Sequence, residues 1–188
     1  TKAGYANTGT WSTKAIKEAK LLGEVVELSS SKDANFNYIP KGFDIPSDLD
    51  YLHITTNNTI FGTQYKVLPE TNVPLISDSS SDIFSRSLDF SKFDLLYAGA
   101  QKNMGPAGAT LVVAKEAALG KVSRQVPSML DYKIQADKDS MFNTPPVFAV
   151  YTSMLTLEWL KDKGGIAAIE KENDAKAALM YGEIDRNP

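Results

Sequence analysis

An α/β fold with a mixed, mostly parallel sheet and flanking helices is what this sequence predicts, and three observations carry that prediction. Short apolar runs at Tyr51–Thr55, Val73–Ser77, Leu95–Ala100 and Thr110–Ala114 each end in polar or glycine-rich residues, as strands buried on both faces do. Ser79 to Phe93 is long enough for the crossover that a parallel pair needs, here expected as a loop with a short helix. Only a glycine-rich turn separates the last two runs, which permits an antiparallel partner.

The remaining elements follow in order. Thr1 to Thr10 is small, polar and nearly uncharged, and the chain is expected to open directly onto a helix. In that helix Trp11, Ala15, Ile16, Ala19 and Leu22 recur at helical spacing, with Thr10 or Ser12 as N-cap and Gly23 as the stop. Val25, Val26 and Leu28 suggest a short strand. Ser29 to Asp50 is rich in Ser, Asp, Asn and Pro and reads as a loop anchored by Phe36, Tyr38, Ile39, Phe43 and Ile45. After a polar stretch from Lys121 to Ser140, Pro145 and Pro146 precede a helix from Val147 to Leu160, which Gly164 and Gly165 stop. A second helix, Ile166 to Tyr181, has an alanine-rich face and a charged one, where Glu170, Glu172 and Asp174 interleave with Lys171 and Lys176 as a solvated surface.

Composition excludes several kinds of chemistry. Among 188 residues there is no cysteine and one histidine, so disulfides, thiolate zinc sites and a thiol nucleophile are ruled out, and no metal constellation emerges. A net charge of −3 offers no basic field for a nucleic-acid backbone. No apolar run approaches the ~20 residues of a membrane span, and the first residues lack the basic and apolar regions of a signal peptide. These features lead us to expect one soluble, cytoplasmic domain with a real core. His53, inside an apolar strand, is expected as a core residue.

Two residues stand where ligands bind in open α/β sheets, outside the carboxyl ends of strands. Lys102 follows the run Leu95–Ala100 among glycines that clear space around it, and a lysine in a partly desolvated pocket gains the neutral amine that forms Schiff bases. Asp78 ends the run before it and can pair with a protonated ring nitrogen. Asp78 also suits capping of the Ser79-Ser80-Ser81 turn, and Lys102 suits a solvated strand end. Together they describe the two fixed points of a pyridoxal phosphate site.

The run Tyr97-Ala98-Gly99-Ala100-Gln101-Lys102-Asn103-Met104-Gly105-Pro106-Ala107-Gly108, with Ser140-Met141-Phe142-Asn143-Thr144-Pro145-Pro146 downstream, resembles the phosphoserine aminotransferases, fold type I pyridoxal-phosphate enzymes of class V. The similarity extends through Trp11, Ala15–Ala19, Asn58-Thr59-Ile60 with Gly62, Asp78 with Ser85-Arg86, Pro127-Ser128, Leu130-Asp131-Tyr132 and Gly164-Gly165, nearly the whole chain. Asn58 stands where the family commonly has Glu.

The resemblance implies pyridoxal 5'-phosphate as cofactor and amino transfer from glutamate to 3-phosphohydroxypyruvate, giving phosphoserine and 2-oxoglutarate in serine biosynthesis. It implies that Lys102 carries the cofactor, Asp78 pairs with the pyridine nitrogen, Trp11 stacks on the ring, Thr59 meets the phenolic oxygen and Gln101 the phosphate. Asn143 and Thr144 would reach the phosphate in a neighbouring subunit, making a homodimer with shared active sites; taken by themselves they suit capping of the helix after Pro145. The resemblance places residues 1–188 in the central part of the large domain, without the family's N-terminal phosphate loop and C-terminal small domain. A catalytically incompetent fragment, or a related fold type I aminotransferase with another substrate, is the alternative.

Overall fold

Among the described residues, eight strands and four α-helices follow in the order β1 (Lys2–Asn7), α1 (Thr10–Ala19), β2 (Glu24–Ser30), β3 (Tyr51–Thr55), β4 (Asn57–Asn58), β5 (Thr63–Gln64), β6 (Leu75–Asp78), β7 (Leu95–Gly99), β8 (Thr110–Ala114), α2 (Tyr132–Asp137), α3 (Val147–Asp162) and α4 (Gly165–Arg186). The structure is a computed structural model and describes residues 1–122 and 124–187. Six strands form one sheet in the order β2-β1-β3-β6-β7-β8, parallel except for β8, which runs antiparallel to β7. Strands β4 and β5 make a separate antiparallel ribbon. From β1 the chain passes to β2 on one side and then crosses to β3 on the other, so the strand order reverses at β1 and opens a crevice at the carboxyl edge.

The expected mixed sheet is present, and β3 and β8 fall on the residues the apolar runs mark. The second run starts later than expected, because Val73 is held in a turn by Thr71 Oγ1 and Pro74 has no N–H to give a ladder. Its last residue is therefore Asp78 itself.

Lys2–Asn7, read above as small polar residues leading directly onto a helix, is instead a buried strand inside the sheet. It escapes the apolar-run pattern because its neighbours demand small residues: a Cβ on Gly4 would come within 2.7 Å of Leu49 Cδ1 and 2.8 Å of Leu28 Cδ1. Helix α1 ends at Ala19, short of the expected stop, and Leu21 and Leu22 are exposed beyond it. Gly9 is its N-cap; Ser12 instead folds back, accepting from Thr8 N–H and donating to Gly9 O.

The expected short helix between β6 and β7 is a chain of turns ending in a 3-10 turn, Phe90–Lys92, capped by Asp89. The polar stretch after β8 contains α2, capped by the Asp131 carboxylate. Helix α4 starts at Gly165, with Gly164 at φ +99° as N-cap.

One face of the sheet carries the main core, where Leu52, Ile54, Leu75, Leu96 and Ala98 meet Ile83, Phe93 and Tyr65. The irregular segment 29–50 closes this face with Ile39, Phe43, Ile45 and Leu49, which is how a loop so polar in composition is held. On the other face α1 packs Ile16, Ala15 and Ala19 on Ala3 and Tyr5. Leu96 lies at the centre of the main core with no solvent exposure. Leu96→Ala is expected to lower stability by about 3 kcal/mol, the cost of an unfilled core cavity, read as a fall in the urea midpoint with an unchanged slope.

Candidate active site

Register builds the site. Across three parallel strands Thr55 pairs with Asp78 and Asp78 with Tyr97, so these side chains form a row on one sheet face at the carboxyl edge. One row deeper lie His53, Ile76 and Leu95. His53 and Tyr97 reach across β6 to each other, Nε2 and the hydroxyl standing 3.0 Å apart, and form a floor beneath Asp78. The imidazole also stacks on Tyr5, with centroids 4.8 Å apart.

Above this floor is a cavity of about 160 Å³ lined by Trp11, Thr55, Asn57, Asp78, Ser80, Ser81, Gln101 and Lys102. Trp11 arrives from the first turn of α1, Asp78 from the end of β6, and Gln101 and Lys102 from the turn after β7. Lys102 Nζ donates to Thr59 Oγ1 at 2.8 Å and lies 5.0 Å from the centre of the Trp11 ring. Lys14 Nζ approaches the same ring at 4.8 Å. Asp78 Oδ1 accepts from Ser80 N–H at 2.9 Å, and no described residue bonds to Oδ2. Asp78 thus does cap its turn as expected, and still keeps one oxygen for a ligand.

Lys102 is exposed, not partly desolvated; a hydrogen bond and an aromatic face hold its ammonium. The glycines around it have a different task from clearing ligand space. A Cβ on Gly99 would meet Gln101 Oε1 at 2.7 Å, so this glycine lets the Gln101 amide fold over the strand end. A Cβ on Gly105 would stand 3.1 Å from Ser153 Cα, so that glycine lets the lysine loop approach α3. Trp11 is 39% exposed and faces Lys102.

Trp11, Asp78, Gln101 and Lys102 therefore line one cavity, and Thr59 joins them through Lys102. Asn143 and Thr144 stand apart from it, both exposed, with Asn143 Nδ2 donating to Thr144 O. They do not cap α3, whose N-cap is Pro146 with no side-chain bond. Thr55, Asn57, Ser80 and Ser81 line the cavity without having been singled out; Thr55 was accessible to reasoning, since it ends its strand as Asp78 does. A larger cavity of about 820 Å³ between segments 37–45 and 63–70 holds none of the strand-end groups. Among the described residues no group of metal-ligating side chains occurs and no helix is long and apolar enough to cross a membrane.

An amine, a carboxylate with a free oxygen and an indole face around one cavity are suited to condense with a carbonyl and hold an aromatic ring. The chain belongs to the class-V aminotransferase family: the family's profile, aminotransferase class-V, matches residues 5–188. Within it, phosphoserine aminotransferase of Flavobacterium johnsoniae is 67% identical over the whole of this chain, which covers 52% of that protein. A solved phosphoserine aminotransferase, described for radiation damage of its Schiff base, superposes with a TM-score of 0.96 at 49% identity over 99% of this chain and 52% of its own. Another from Trichomonas vaginalis, described as bound to pyridoxal phosphate, superposes at 0.91 with 36% identity, over all of this chain and 57% of its own. The chain spans about half the length of the relatives it matches.

The floor has a measurable signature. Burial lowers the His53 pKa from 6.5 to about 4, with the Asp78 charge opposing the shift, and Nδ1 is buried without a partner. Burial, then the Asp78 charge, raises the Tyr97 hydroxyl. The unfolded chain takes up a proton at His53 below pH 6.5 and the folded chain only below about 4, so stability falls with pH across that window. Urea unfolding at pH 7 and pH 5 should show a His53 contribution of about 2 kcal/mol that is absent in His53→Phe.

Proposed function

We propose that this protein is the cofactor-bearing part of an aminotransferase that uses pyridoxal 5'-phosphate to move an amino group from glutamate to 3-phosphohydroxypyruvate in cytoplasmic serine biosynthesis. The observation that carries the reading is Lys102 Nζ, held by Thr59 and the Trp11 face beside Asp78 at the carboxyl edge of the sheet. The likeness to phosphoserine aminotransferases over the whole chain supports these substrates.

The residues present fit that cofactor. The free oxygen of Asp78 matches a protonated pyridine nitrogen, the exposed Lys102 amine an aldehyde, and Thr59 Oγ1, already hydrogen-bonded to that amine, a phenolic oxygen beside it. The Gln101 amide, folded over Gly99, suits a phosphate oxygen. When bound, the cofactor supplies an electron sink for the bond broken at the substrate Cα.

The chain's own residues do the remainder. Asp78 keeps the ring nitrogen protonated, and its capping bond to Ser80 N–H fixes the carboxylate's direction. Trp11 covers one face of the ring and excludes water from it. Lys102 Nζ would take the proton from the Cα of the amino donor and, in the second half of transfer, deliver a proton to the Cα of the acceptor, with Thr59 Oγ1 holding the amine in place.

Asn143 and Thr144 complete the phosphate site of the partner subunit in a homodimer. Their distance from this chain's own cavity supports that role, as does the exposed apolar surface beside them at Phe142, Val147, Phe148 and Tyr151.

Lys102→Ala should abolish the visible absorbance band that the protein gains with pyridoxal phosphate, and borohydride followed by peptide mapping should mark Lys102 in the wild type. A band persisting in the variant would remove the lysine from this role. Coexpressed Lys102→Ala and Asn143→Ala subunits should recover glutamate-dependent amino transfer that neither variant shows alone, since half the sites in a mixed dimer are intact; no recovery would speak against shared sites.

A further inference from the structure

The ground between Thr59 and Asp78 is occupied by residues to which the reaction above gives no task. Asp82 is 1% exposed, yet it is surrounded by donors. Its Oδ1 accepts from Thr56 Oγ1 at 2.6 Å, and its Oδ2 from Arg86 Nη2 at 3.0 Å, Arg86 Nε at 3.2 Å and Gln64 Nε2 at 3.4 Å. Thr56 is fully buried; its N–H donates to Asp78 O at 3.0 Å and its hydroxyl lies 3.0 Å from Ser79 Oγ. One turn further, Asn57 Nδ2 donates to Ser81 Oγ at 2.9 Å and Ser81 Oγ to Asn57 O at 2.9 Å. The turn that leaves β3 toward Thr59 and the turn that leaves β6 from Asp78 are thereby tied together at several points.

A connection that only joined β6 to β7 would not need a buried ion pair. Desolvating both charges costs more than packing apolar groups of the same volume, so such a pair is weak evidence for stability and a better candidate for fixing position. The same turn holds Phe84 at φ +60°, a conformation bulky side chains adopt only when their surroundings impose it. The segment carrying Arg86 is fastened in turn by α4: Glu170 Oε2 accepts from Ser87 N–H at 3.0 Å and Ser87 Oγ at 2.9 Å, and Asn173 Nδ2 donates to Ser85 O at 3.0 Å.

We propose that Thr56, Asp82 and Arg86 form a positioning clasp that sets Thr59 against Lys102 and holds Asp78 at the matching height for one aromatic cofactor. This inference rests on the cofactor reading above. None of the three touches the cofactor; they act through Thr59 and Asp78.

The test compares Thr56→Val, which keeps shape and removes the hydroxyl, with Thr56→Ser, which restores it. Arg86→Lys, which keeps the charge and loses the two-nitrogen contact, is a second disrupting variant. Val73→Ala, in the core at the opposite end of β6, controls for lost stability. Two readouts apply: the dissociation constant for pyridoxal phosphate from the visible band, and, in cofactor-free protein, the rate at which acetic anhydride labels Lys102, read by peptide mapping. Loss of a hydrogen bond to a charged group corresponds to about tenfold, so Thr56→Val and Arg86→Lys should each bind the cofactor about that much more weakly and label Lys102 several-fold faster. Thr56→Ser and Val73→Ala should match wild type in both. Agreement of Thr56→Val with Val73→Ala, or failure of Thr56→Ser to rescue, would overturn the clasp. If wild-type Lys102 is not fixed by borohydride, the cofactor reading falls, and Lys102 labelling in cofactor-free protein still decides whether the clasp controls the lysine.

Discussion

The parallel pairing of β3, β6 and β7 places Thr55, Asp78 and Tyr97 side by side at the carboxyl edge, and the geometry of the candidate site depends on that shared level. Side chains alternate between faces, so a slip of one residue at either ladder would send Asp78 into the apolar core and bring Ser77 or Ser79 to the edge. The register is held from below by the side chains that must stay on the core face: Leu52, Ile54, Leu75, Leu96 and Ala98 are each at most 1% exposed. It is held from above by Thr56 N–H and Ser79 N–H, which continue the ladder beyond the strands to Asp78 O and Tyr97 O. The hydrophobic core and the reactive edge are therefore two ends of one constraint.

Between those ends lies a layer that insulates the site. His53 and Tyr97 fill the face directly beneath Asp78 with groups that burial keeps neutral, the imidazole by depressing its pKa and the phenol by raising it. A positively charged group at either position would compete with any ligand for the Asp78 carboxylate. A wholly apolar pair would leave that carboxylate above a surface with no dipole to answer it. His53, stacked on Tyr5 and hydrogen-bonded to Tyr97, gives a polar floor without a competing charge.

Much of this was legible in the sequence, and the failures have physical causes. Strands β3 and β7 announced themselves because buried parallel strands are continuous apolar runs, and the antiparallel β8 because its run follows β7 after only a glycine-rich turn. Strand β1 did not, because packing under Leu28 and Leu49 requires glycine at position 4 and the neighbouring alanines carry little hydrophobic signal. Lys102 and Asp78 were legible because a charged residue at or just beyond the end of an apolar run marks a strand end. Thr56 and Asp82 were not, since a hydroxyl in a turn and an acid four residues into a loop look solvated until tertiary contact buries them. Glu170 was misread for the same reason: its helix face is charged and partly free, as the Lys176–Glu172 pair shows, but Glu170 itself is engaged by Ser87.

That engagement bears on how rigid the edge is. Glu170 and Asn173 grip the backbone on both sides of Arg86, and their burial is modest, so each bond alone is worth little. Their value lies in what they restrain. Arg86 meets one oxygen of Asp82 with two nitrogens, an arrangement that rotates easily unless the backbone beneath it is fixed, and Asp82 has no water to fall back on. Docking α4 there removes the rotation at a place remote from the cavity. A weak surface contact can thus sharpen a strong buried one, and through Thr56 the precision reaches the hydroxyl that holds Lys102.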